Sequence, residues 1–305
     1  MKNTQKRKED PNMKHDFSIH DSPFLAPTDG SFKLANTDTI VRNGEDKKGK
    51  KALRAAVKDI ADLQRKLYAD DRFSLLLVFQ AMDAAGKDST IRNVLSGVDP
   101  AGCQVHSFKR PSSTELDHDF LWRTTKALPE RGRIGVFNRS QYEEVLVVRV
   151  HPEILGYQKL PNPVATEQLW AERLESIADQ EKHLARNGTV IIKFFLNVSR
   201  DAQKERFLSR LDDPAKQWKF ESNDIRERGY WEQYMMAYES AIASTSKPWA
   251  PWYAIPADDK PMMRYLVADT IRQTLQSMPL AYPEPDPEDL PKHKVLRAQL
   301  LAEKS

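Results

Sequence analysis

The chain has 305 residues, and its 40% hydrophobic content excludes a wholly disordered protein and allows one large core. Its 47 basic and 44 acidic residues leave a formal charge of +3, which is too small to predict nucleic-acid binding, so any anion site must be local. One cysteine, Cys103, excludes an intrachain disulfide, and no apolar run approaches the roughly 18 residues that a membrane span needs. These features predict a cytoplasmic α/β protein that contacts neither nucleic acid nor a membrane.

The first 49 residues are polar and rich in lysine and aspartate, and we expect this segment to be extended or mobile. The pattern changes over Lys50 to Asp70, where apolar residues recur at spacings of three and four. That spacing predicts an amphipathic helix. The helix would pack on the main domain, and a subunit contact is the alternative.

A buried strand is predicted over Ser74 to Phe79, because five large apolar residues follow one another from Leu75. A loop of small residues comes next, in which Gly86 can adopt a positive φ. Lys87 follows it, and from Ser89 the apolar spacing is that of a helix, whose first N–H groups and dipole would face an anion. The segment therefore predicts a phosphate site, whose candidate residues are Asp83, Ala84, Ala85, Gly86, Lys87, Asp88, Ser89 and Thr90.

This loop departs from the standard phosphate-loop pattern G-x-x-x-x-G-K-[ST] at two of its four fixed positions. Ala81 replaces the first glycine, and Asp88 replaces the hydroxyl residue, which Ser89 or Thr90 would then supply. An ordinary strand-to-helix turn with a surface lysine is the alternative.

A second strand is predicted over Cys103 to Phe108, and Lys109 and Arg110 follow it. Ligands of open α/β sheets bind at the carboxyl ends of the strands, so these two cations are candidates for phosphate binding, with solvated charges as the alternative. A helix is predicted over Glu115 to Leu128. Its Asp-His-Asp start at residues 117–119 is a weak metal motif, because adjacent helical residues point in different directions.

The third predicted strand, Ile134 to Phe137, is followed by Asn138 and Arg139. A phosphoryl-transfer enzyme usually places a carboxylate at the end of such a strand to hold Mg²⁺. Because Asn138 brings no charge, Glu143 or Glu144 is expected to supply it, and a solvated helix start is the alternative for both glutamates. Arg139 offers phosphate oxygens a planar fork of donors.

A helix over Thr166 to Arg186 and a strand over Val190 to Val198 come next, followed by a helix that Asp201 would cap. On this last helix Arg206 and Arg210 lie one turn apart, on one face. We interpret them as a pair of phosphate-binding arginines.

A lid is predicted at about residues 209–230. The segment from Leu211 to Glu221 breaks the helix at Asp-Asp-Pro and then presents Lys216, Trp218 and Lys219. Phosphoryl transfer benefits when such a segment closes over the substrate, excludes water and neutralises oxygens. A solvated surface of mixed charge is the alternative.

The remaining elements complete an α/β domain. Trp231 to Ile242 forms an apolar helical face, for the core or a subunit interface, and is followed by a strand at Trp252 to Ile255 and a helix at Met262 to Met278. About five strand–helix repeats predict a three-layer α/β/α sandwich around a parallel sheet, of the nucleotide-kinase type. The expected organisation is an N-terminal extension (1–49), a kinase domain (50–278) and a C-terminal tail (279–305).

Three separated motifs also resemble the polyphosphate kinase-2 family, over residues 50–278. They are Asp83 to Thr90, then Phe137-Asn138-Arg139-Ser140 with Tyr142-Glu143-Glu144, and Leu211-Asp212-Asp213-Pro214 with Lys216, Trp218 and Lys219. Many members carry aspartate where this chain has Asn138. Together with Tyr142 and Glu143, the asparagine is similar to the class III-like branch, which is associated with phosphorylating both AMP and ADP.

The resemblance implies a phosphate-loop kinase similar to thymidylate kinase, with a helical lid. It implies a Mg²⁺-dependent, reversible transfer of the terminal phosphoryl group of inorganic polyphosphate to AMP and ADP, with ATP as a product and Mn²⁺ as a second suitable ion. By position, the resemblance matches Asp83, Lys87 and Asp88 to the phosphate-loop residues of the family and Lys216 and Lys219 to its lid cations, and it shifts metal binding towards Glu143 and Asp83. Our hypothesis takes Asp83, Lys87, Arg139 and Glu143 as the catalytic residues, and Asp83, Glu143 and Asp88 as metal ligands. The expected phosphate- and nucleotide-binding residues are Ala84, Ala85, Gly86, Asp88, Ser89, Thr90, Lys109, Arg110, Asn138, Arg206, Arg210, Lys216 and Lys219.

Two other functions share these features. An ATP-dependent nucleoside monophosphate kinase would use the same fold and loop, and a non-catalytic nucleotide-binding protein would need fewer carboxylates. A homo-oligomer, dimer or tetramer, is expected, with residues 50–70 and 231–242 as candidate subunit contacts.

Overall fold

The computed structural model describes residues 19–41, 49–161 and 165–303, and the side chain of Lys219 lies outside the described part. Within these residues, five parallel strands form one sheet in the order β2-β3-β1-β4-β5. Their bounds are β1 (Ser74–Gln80), β2 (Cys103–Ser107), β3 (Ile134–Asn138), β4 (Thr189–Asn197) and β5 (Trp252–Pro256). The predicted parallel sheet is therefore confirmed, and the apolar run of β1 lies at its centre, buried at all seven positions.

Eleven α-helices lie within the described ranges, on both sides of the sheet. They are α1 (Gly49–Asp70), α2 (Lys87–Val94), α3 (Ser113–Leu116), α4 (Trp122–Thr125), α5 (Val147–Val150), α6 (Glu167–Arg186), α7 (Arg200–Leu211), α8 (Ser222–Gly229), α9 (Trp231–Thr245), α10 (Lys260–Ser277) and α11 (Asp289–Ala302). α1 and α2 pack against α10, whereas α5 and α6 pack against α9. None of the described helices is long and apolar enough to cross a membrane.

Strand register brings the candidate site residues to one edge of the sheet. Phe79 of β1 pairs with Asn138 of β3 on one side and with Phe194 of β4 on the other. Ser107, the last residue of β2, also pairs with Asn138. Because all the strands are parallel, the loops that follow β1, β2 and β3 leave the sheet at the same edge.

The helix predicted over Glu115 to Leu128 is wrong. Two single-turn helices, α3 and α4, replace it. Ser112 and Glu115 form a capping box that starts α3. Asp119 then interrupts it, because its carboxylate accepts a hydrogen bond from the backbone N–H of Leu121 (2.9 Å) and so competes with a continuous helix. Asp201 is also not the cap of α7, since the Ser199 hydroxyl accepts from Ala202 N–H.

The described part of the N-terminal extension covers the open edge of β5. Leu25 forms an antiparallel bridge with Tyr253, and the backbone N–H of Ala26 donates to Trp252 O (2.9 Å). Further along, the Thr39 hydroxyl donates to Asp258 (2.8 Å). The prediction of an extended or mobile segment lies outside the described residues at positions 1–18 and 42–48.

The two faces suggested as subunit contacts belong largely to the core of the chain. Trp231, Tyr234, Tyr238 and Ile242 of α9 are buried, as are Val57, Ile60 and Leu67 of α1. Both apolar stripes are therefore used for internal packing, which was the first interpretation of each. The homo-oligomer stays a prediction.

A charged pair lies in the middle of this core. Lys193 of β4 and Glu181 of α6 are 0% and 1% exposed, and the ammonium pairs with the carboxylate. The ammonium also donates to Tyr142 Oη (3.0 Å) and Thr245 O (2.8 Å). Burial lowers the pKa of Lys193 to about 8 and raises the pKa of Glu181. The pair therefore depends on its partners being present, because each charge lies far from water.

Removing one member of this pair should destabilise the fold strongly. We expect Lys193→Met to lower the free energy of unfolding by about 3–5 kcal/mol, since it leaves a buried carboxylate unpaired, and the double variant Lys193→Met/Glu181→Leu to recover most of that loss. Urea denaturation measures both. Lys292→Met, which removes an exposed ion pair with Asp289, is the matched control and should change little. Equal unfolding midpoints for the single variant and the unchanged protein would contradict this account.

Candidate active site

The loop between β1 and α2 folds around the ammonium of Lys87. This side chain is buried, and its Nζ donates to the backbone oxygens of Ala81 (2.6 Å) and Met82 (3.3 Å). Gly86 has a φ of 109°, which confirms the positive φ predicted for it. Ala84 also has a positive φ, 59°, a conformation that costs a non-glycine residue about 1–2 kcal/mol. The helix begins at Lys87, two residues earlier than predicted.

The surroundings of Lys87 change the pKa of its ammonium group. Its pKa falls to about 8, chiefly because the ammonium is buried and secondly because Arg139 lies nearby. The carboxylates of Asp83, Glu143 and Asp88 act in the opposite direction. A bound phosphate would add negative charge here and favour the protonated lysine.

Arg139 connects the ends of β1 and β3. Its Nη2 donates to Asp83 Oδ1 (2.8 Å), and its Nη1 donates to Glu143 Oε2 (3.0 Å). Glu143 is the main cause that raises the pKa of Arg139, so the guanidinium stays charged. Arg139 also has a φ of 63°, and strained backbone of this kind clusters at functional sites. Three of the four predicted catalytic residues are thus in direct contact.

The choice between Glu143 and Glu144 is decided by their surroundings. Glu144 is 3% exposed, pairs with Arg173 (3.1 Å) and accepts from the amide of Gln158 (2.6 Å). Glu143 instead faces Arg139. The buried Gln80, oriented with its nitrogen toward this carboxylate, donates to Glu143 Oε1 (2.9 Å). Glu144 is therefore part of the scaffold, and Glu143 lies in the site.

Asn138 holds Asp88. The amide of Asn138 donates to Asp88 Oδ1 (2.7 Å) and to Ser107 Oγ (3.3 Å), so the ends of β2, β3 and the start of α2 meet here. Sequence reasoning missed Ser107, although its place at the end of a predicted strand was a signal. Of the two hydroxyls after Asp88, the one of Ser89 donates to Gly86 O (3.0 Å), whereas Thr90 is buried against Met263.

The carboxylates of this site suit a hard cation such as Mg²⁺, although each of them already contacts another side chain. Within residues 19–41, 49–161 and 165–303, no three His, Cys, Asp or Glu side chains stand close enough to hold a metal. Arg139 lies between Asp83 and Glu143, and Asn138 holds Asp88. Carboxylate oxygens are nevertheless the ligands that Mg²⁺ prefers.

The weak metal motif at residues 117–119 forms no such site. His118 stacks on Trp122, with 3.8 Å between ring centroids, and Asp117 pairs with Lys159. This agrees with the sequence interpretation, in which the metal motif was weak.

The cations predicted to bind phosphate differ in their contacts. Arg206 donates to the backbone oxygens of Ala85 (2.7 Å) and Asp258 (3.0 Å), so it fastens the phosphate loop to the turn after β5. Arg210 instead lies 3.9 Å from Asp224, so the two arginines differ in their contacts, and phosphate binding by the pair stays a prediction. Lys109 and Arg110 are exposed at the end of β2, and Lys216 pairs with Asp213. The prediction for the side chain of Lys219 lies outside the described residues.

Three predicted cations, Arg206, Arg210 and Lys216, belong to a basic cluster between α7 and α10 that has two further members, which sequence reasoning missed. The pKa of Lys260 is lowered by burial and then by the charges of Arg206, Arg264, Lys216 and Arg210. Lys260 stands in the first turn of α10, which Asp259 caps. These five residues are called the basic cluster below. Lys260 and Arg264 gave no local signal, because they approach α7 only through the fold.

The depressed pKa of Lys87 gives a pH dependence to stability. Because the unfolded chain keeps the proton up to about pH 10.5 and the folded chain releases it near 8, stability rises with pH between these values. We expect the free energy of unfolding of the unchanged protein to rise by up to about 3 kcal/mol relative to Lys87→Met over this range. Denaturation at several pH values measures the difference, and parallel profiles for the two proteins would contradict a buried, destabilised charge.

Comparison with known proteins gives the family of the chain. The family model for polyphosphate kinase 2 matches residues 43–283. The ADP-polyphosphate phosphotransferase of Rhodopseudomonas palustris is 55% identical over 250 residues, which cover 82% of this chain and 86% of that protein. The AMP/ADP-polyphosphate phosphotransferase of Meiothermus ruber is 41% identical over 261 residues, 85% of this chain and 94% of that protein.

A solved structure agrees with these matches. The crystal structure of polyphosphate kinase 2 from Arthrobacter aurescens superposes with a TM-score of 0.84 at 37% identity, covering 94% of this chain and 99% of that one. The similarity thus extends over both the sequence and the fold. The chain therefore belongs to the polyphosphate kinase 2 family.

Proposed function

We propose that the protein transfers the terminal phosphoryl group of inorganic polyphosphate to AMP and ADP, reversibly and with Mg²⁺, forming ADP and ATP. The observation that carries this proposal is Arg139 held between Asp83 and Glu143, beside the buried Lys87. Such a site combines cations for a transferring phosphate with carboxylates for a metal. The names of the relatives from Rhodopseudomonas palustris and Meiothermus ruber support the same donor and acceptors.

Positioning and charge stabilisation account for most of the proposed chemistry, because phosphoryl transfer needs little covalent help from the protein. Lys87 and Arg139 neutralise the oxygens of the transferring group. Arg139 uses one N–H on each terminal nitrogen for Asp83 and Glu143, and further N–H groups of its guanidinium remain for phosphate.

The acceptor needs no strong general base. The phosphate of AMP or ADP is already ionised at neutral pH, so Asp83 has only to orient it. Asp83, Glu143 and Asp88 are the proposed ligands of Mg²⁺, or of Mn²⁺ in its place, and Asp83 and Glu143 would become free for it when phosphate competes for Arg139. The ion would supply positive charge to the phosphates. Asn138 keeps Asp88 directed at this region (2.7 Å).

Polyphosphate has a dense negative charge and no base, so it needs an extended track of cations. We place this track along Lys109 and Arg110 on one side and the basic cluster on the other, with Lys87 and Arg139 between them. In this proposal residues 209–230 are the lid, which brings Lys216 and Lys219 to the phosphates. An ATP-dependent nucleoside monophosphate kinase would not need a track that accepts a chain without a base.

The donor can be tested directly. We expect the purified protein, given Mg²⁺, AMP and long-chain polyphosphate without ATP, to produce both ADP and ATP, measured by chromatography. An incubation with ADP alone controls for disproportionation. If no product forms until ATP is added, the protein is an ordinary nucleotide kinase and the proposal is wrong.

The two central cations can be tested by substitution. We expect Lys87→Ala and Arg139→Ala to lower kcat on the order of 10²-fold or more, because each removes a donor that stabilises charge in the transition state. Steady-state kinetics with polyphosphate and AMP measure the loss. Lys292→Ala, on the exposed surface of α11, is the control and should keep full activity. Normal turnover by Lys87→Ala would exclude the proposed role of the loop.

A further inference from the structure

Helix α7 holds three successive carbonyl groups of the phosphate loop. Gln203 Nε2 donates to Asp83 O (2.9 Å). One turn later on the same face, Arg206 Nη1 donates to Ala84 O (3.2 Å) and Ala85 O (2.7 Å). The backbone of the loop is therefore positioned from α7, including the residue that carries the Asp83 carboxylate.

Gln203 has a second partner, on helix α8. Its Oε1 accepts from Arg228 Nη1 (2.8 Å), which also donates to Arg200 O (2.7 Å) at the start of α7. The two ends of this amide thus contact different parts of the protein. Only one orientation of the amide satisfies both contacts, because Asp83 O can only accept and the Arg228 guanidinium can only donate.

Burial makes the two contacts interdependent. Gln203 is 1% exposed, so a lost partner is not readily replaced by water. If α8 moved away, Oε1 would remain buried without a donor, a state that costs about 1–3 kcal/mol. The contact with Asp83 and the contact with α8 therefore favour one another.

The preceding residue along α8, Glu227, attaches the helix to a second part of the protein. Glu227 Oε2 accepts from Tyr234 Oη (2.7 Å) and lies 2.8 Å from His151 Nε2. Its neighbour Arg228 binds α7, so the last turn of α8 is attached to the body of the protein by two residues of opposite charge. Residues 212–221, which carry Lys216, precede this attached helix.

We infer that Gln203 is a positioning residue that couples the docking of α8 to the position of Asp83 in the phosphate loop. The inference rests on the proposed function, in which Asp83 orients the acceptor and residues 209–230 form the lid. When α8 is docked, Arg228 holds the amide of Gln203, and the amide holds the Asp83 backbone. Lid position and loop geometry are then linked through one side chain, and by reciprocity a ligand at the loop favours the docked helix.

Two substitutions separate the halves of this link. Gln203→Glu keeps the shape of the side chain and its contact with Arg228. It places a carboxylate oxygen against Asp83 O, so the hydrogen bond to the phosphate loop is lost. Arg228→Met removes the hydrogen bond between α8 and Gln203 and leaves the Gln203 contact with Asp83 intact. Arg228→Lys retains a cation that can donate to Gln203 Oε1 and should restore part of the coupling. Gln299→Glu, on the exposed surface of α11, is the matched control for the change of charge.

The experiment is hydrogen–deuterium exchange on the full chain, with and without long-chain polyphosphate and Mg²⁺, together with kcat and KM. In the unchanged protein and in Gln299→Glu, we expect polyphosphate to slow exchange in both residues 81–87 and residues 222–229. In Gln203→Glu and Arg228→Met, residues 81–87 should stay slowed while the slowing in α8 is lost. We expect kcat to fall about tenfold, with a smaller change in KM.

The outcomes distinguish the inference from the function on which it rests. If polyphosphate slows exchange in neither region of the unchanged protein, the proposed function and the inference are both overturned. If both regions are slowed and the two variants keep the slowing in α8 and normal kcat, only the inference is overturned. Should Gln203→Glu fail to fold, the half-buried Arg228 still supplies the test through Arg228→Met and Arg228→Lys.

Discussion

Five consecutive backbone carbonyls, from residue 81 to residue 85, accept hydrogen bonds from side chains. Lys87 binds the first two, Gln203 the third, and Arg206 the last two. The acceptors of the loop are therefore committed to protein donors, and what the loop can offer to an incoming anion is its N–H groups and the amino end of α2. The left-handed backbone at Ala84 and Gly86 follows from the same constraint, because the chain must turn to bring these carbonyls to their donors.

Three carboxylates and two cations surround this loop. Arg139 pairs with the carboxylates of Asp83 and Glu143, and the pKa of Lys87 is lowered first by burial and then by the nearby guanidinium of Arg139. A phosphate group would compete for Arg139 and relieve the repulsion between the two cations. A cation would in turn take over the carboxylates that Arg139 releases. The arrangement therefore suits anion and cation binding together better than either one alone.

The strands and the centre of the site could be predicted from the sequence, because both depend on local patterns. Apolar runs located each strand to within about one residue at each end, and the sequence after β1 and β3 contained Asp83, Lys87 and Arg139. Contacts that join distant segments could not be predicted in this way. Arg206 stays a proposed phosphate ligand, and its contacts with the backbone oxygens of residues 84, 85, 257 and 258 arise only in the folded chain. Gln203 and Lys260 gave no periodic or motif signal, since their roles arise only when α7 lies against the loop and α10.

The antiparallel bridge at Leu25 also affects how much of the chain is needed to cover the sheet. The pattern of the sequence would place the start of the domain at residue 50, yet Ala26 is 2% exposed, and its carbonyl accepts from the Ser246 hydroxyl (3.1 Å). A recombinant fragment that begins at residue 50 would uncover the backbone of β5 along Tyr253. An uncovered edge of this kind can pair with another chain, so shortening the protein at its apparent boundary would favour aggregation.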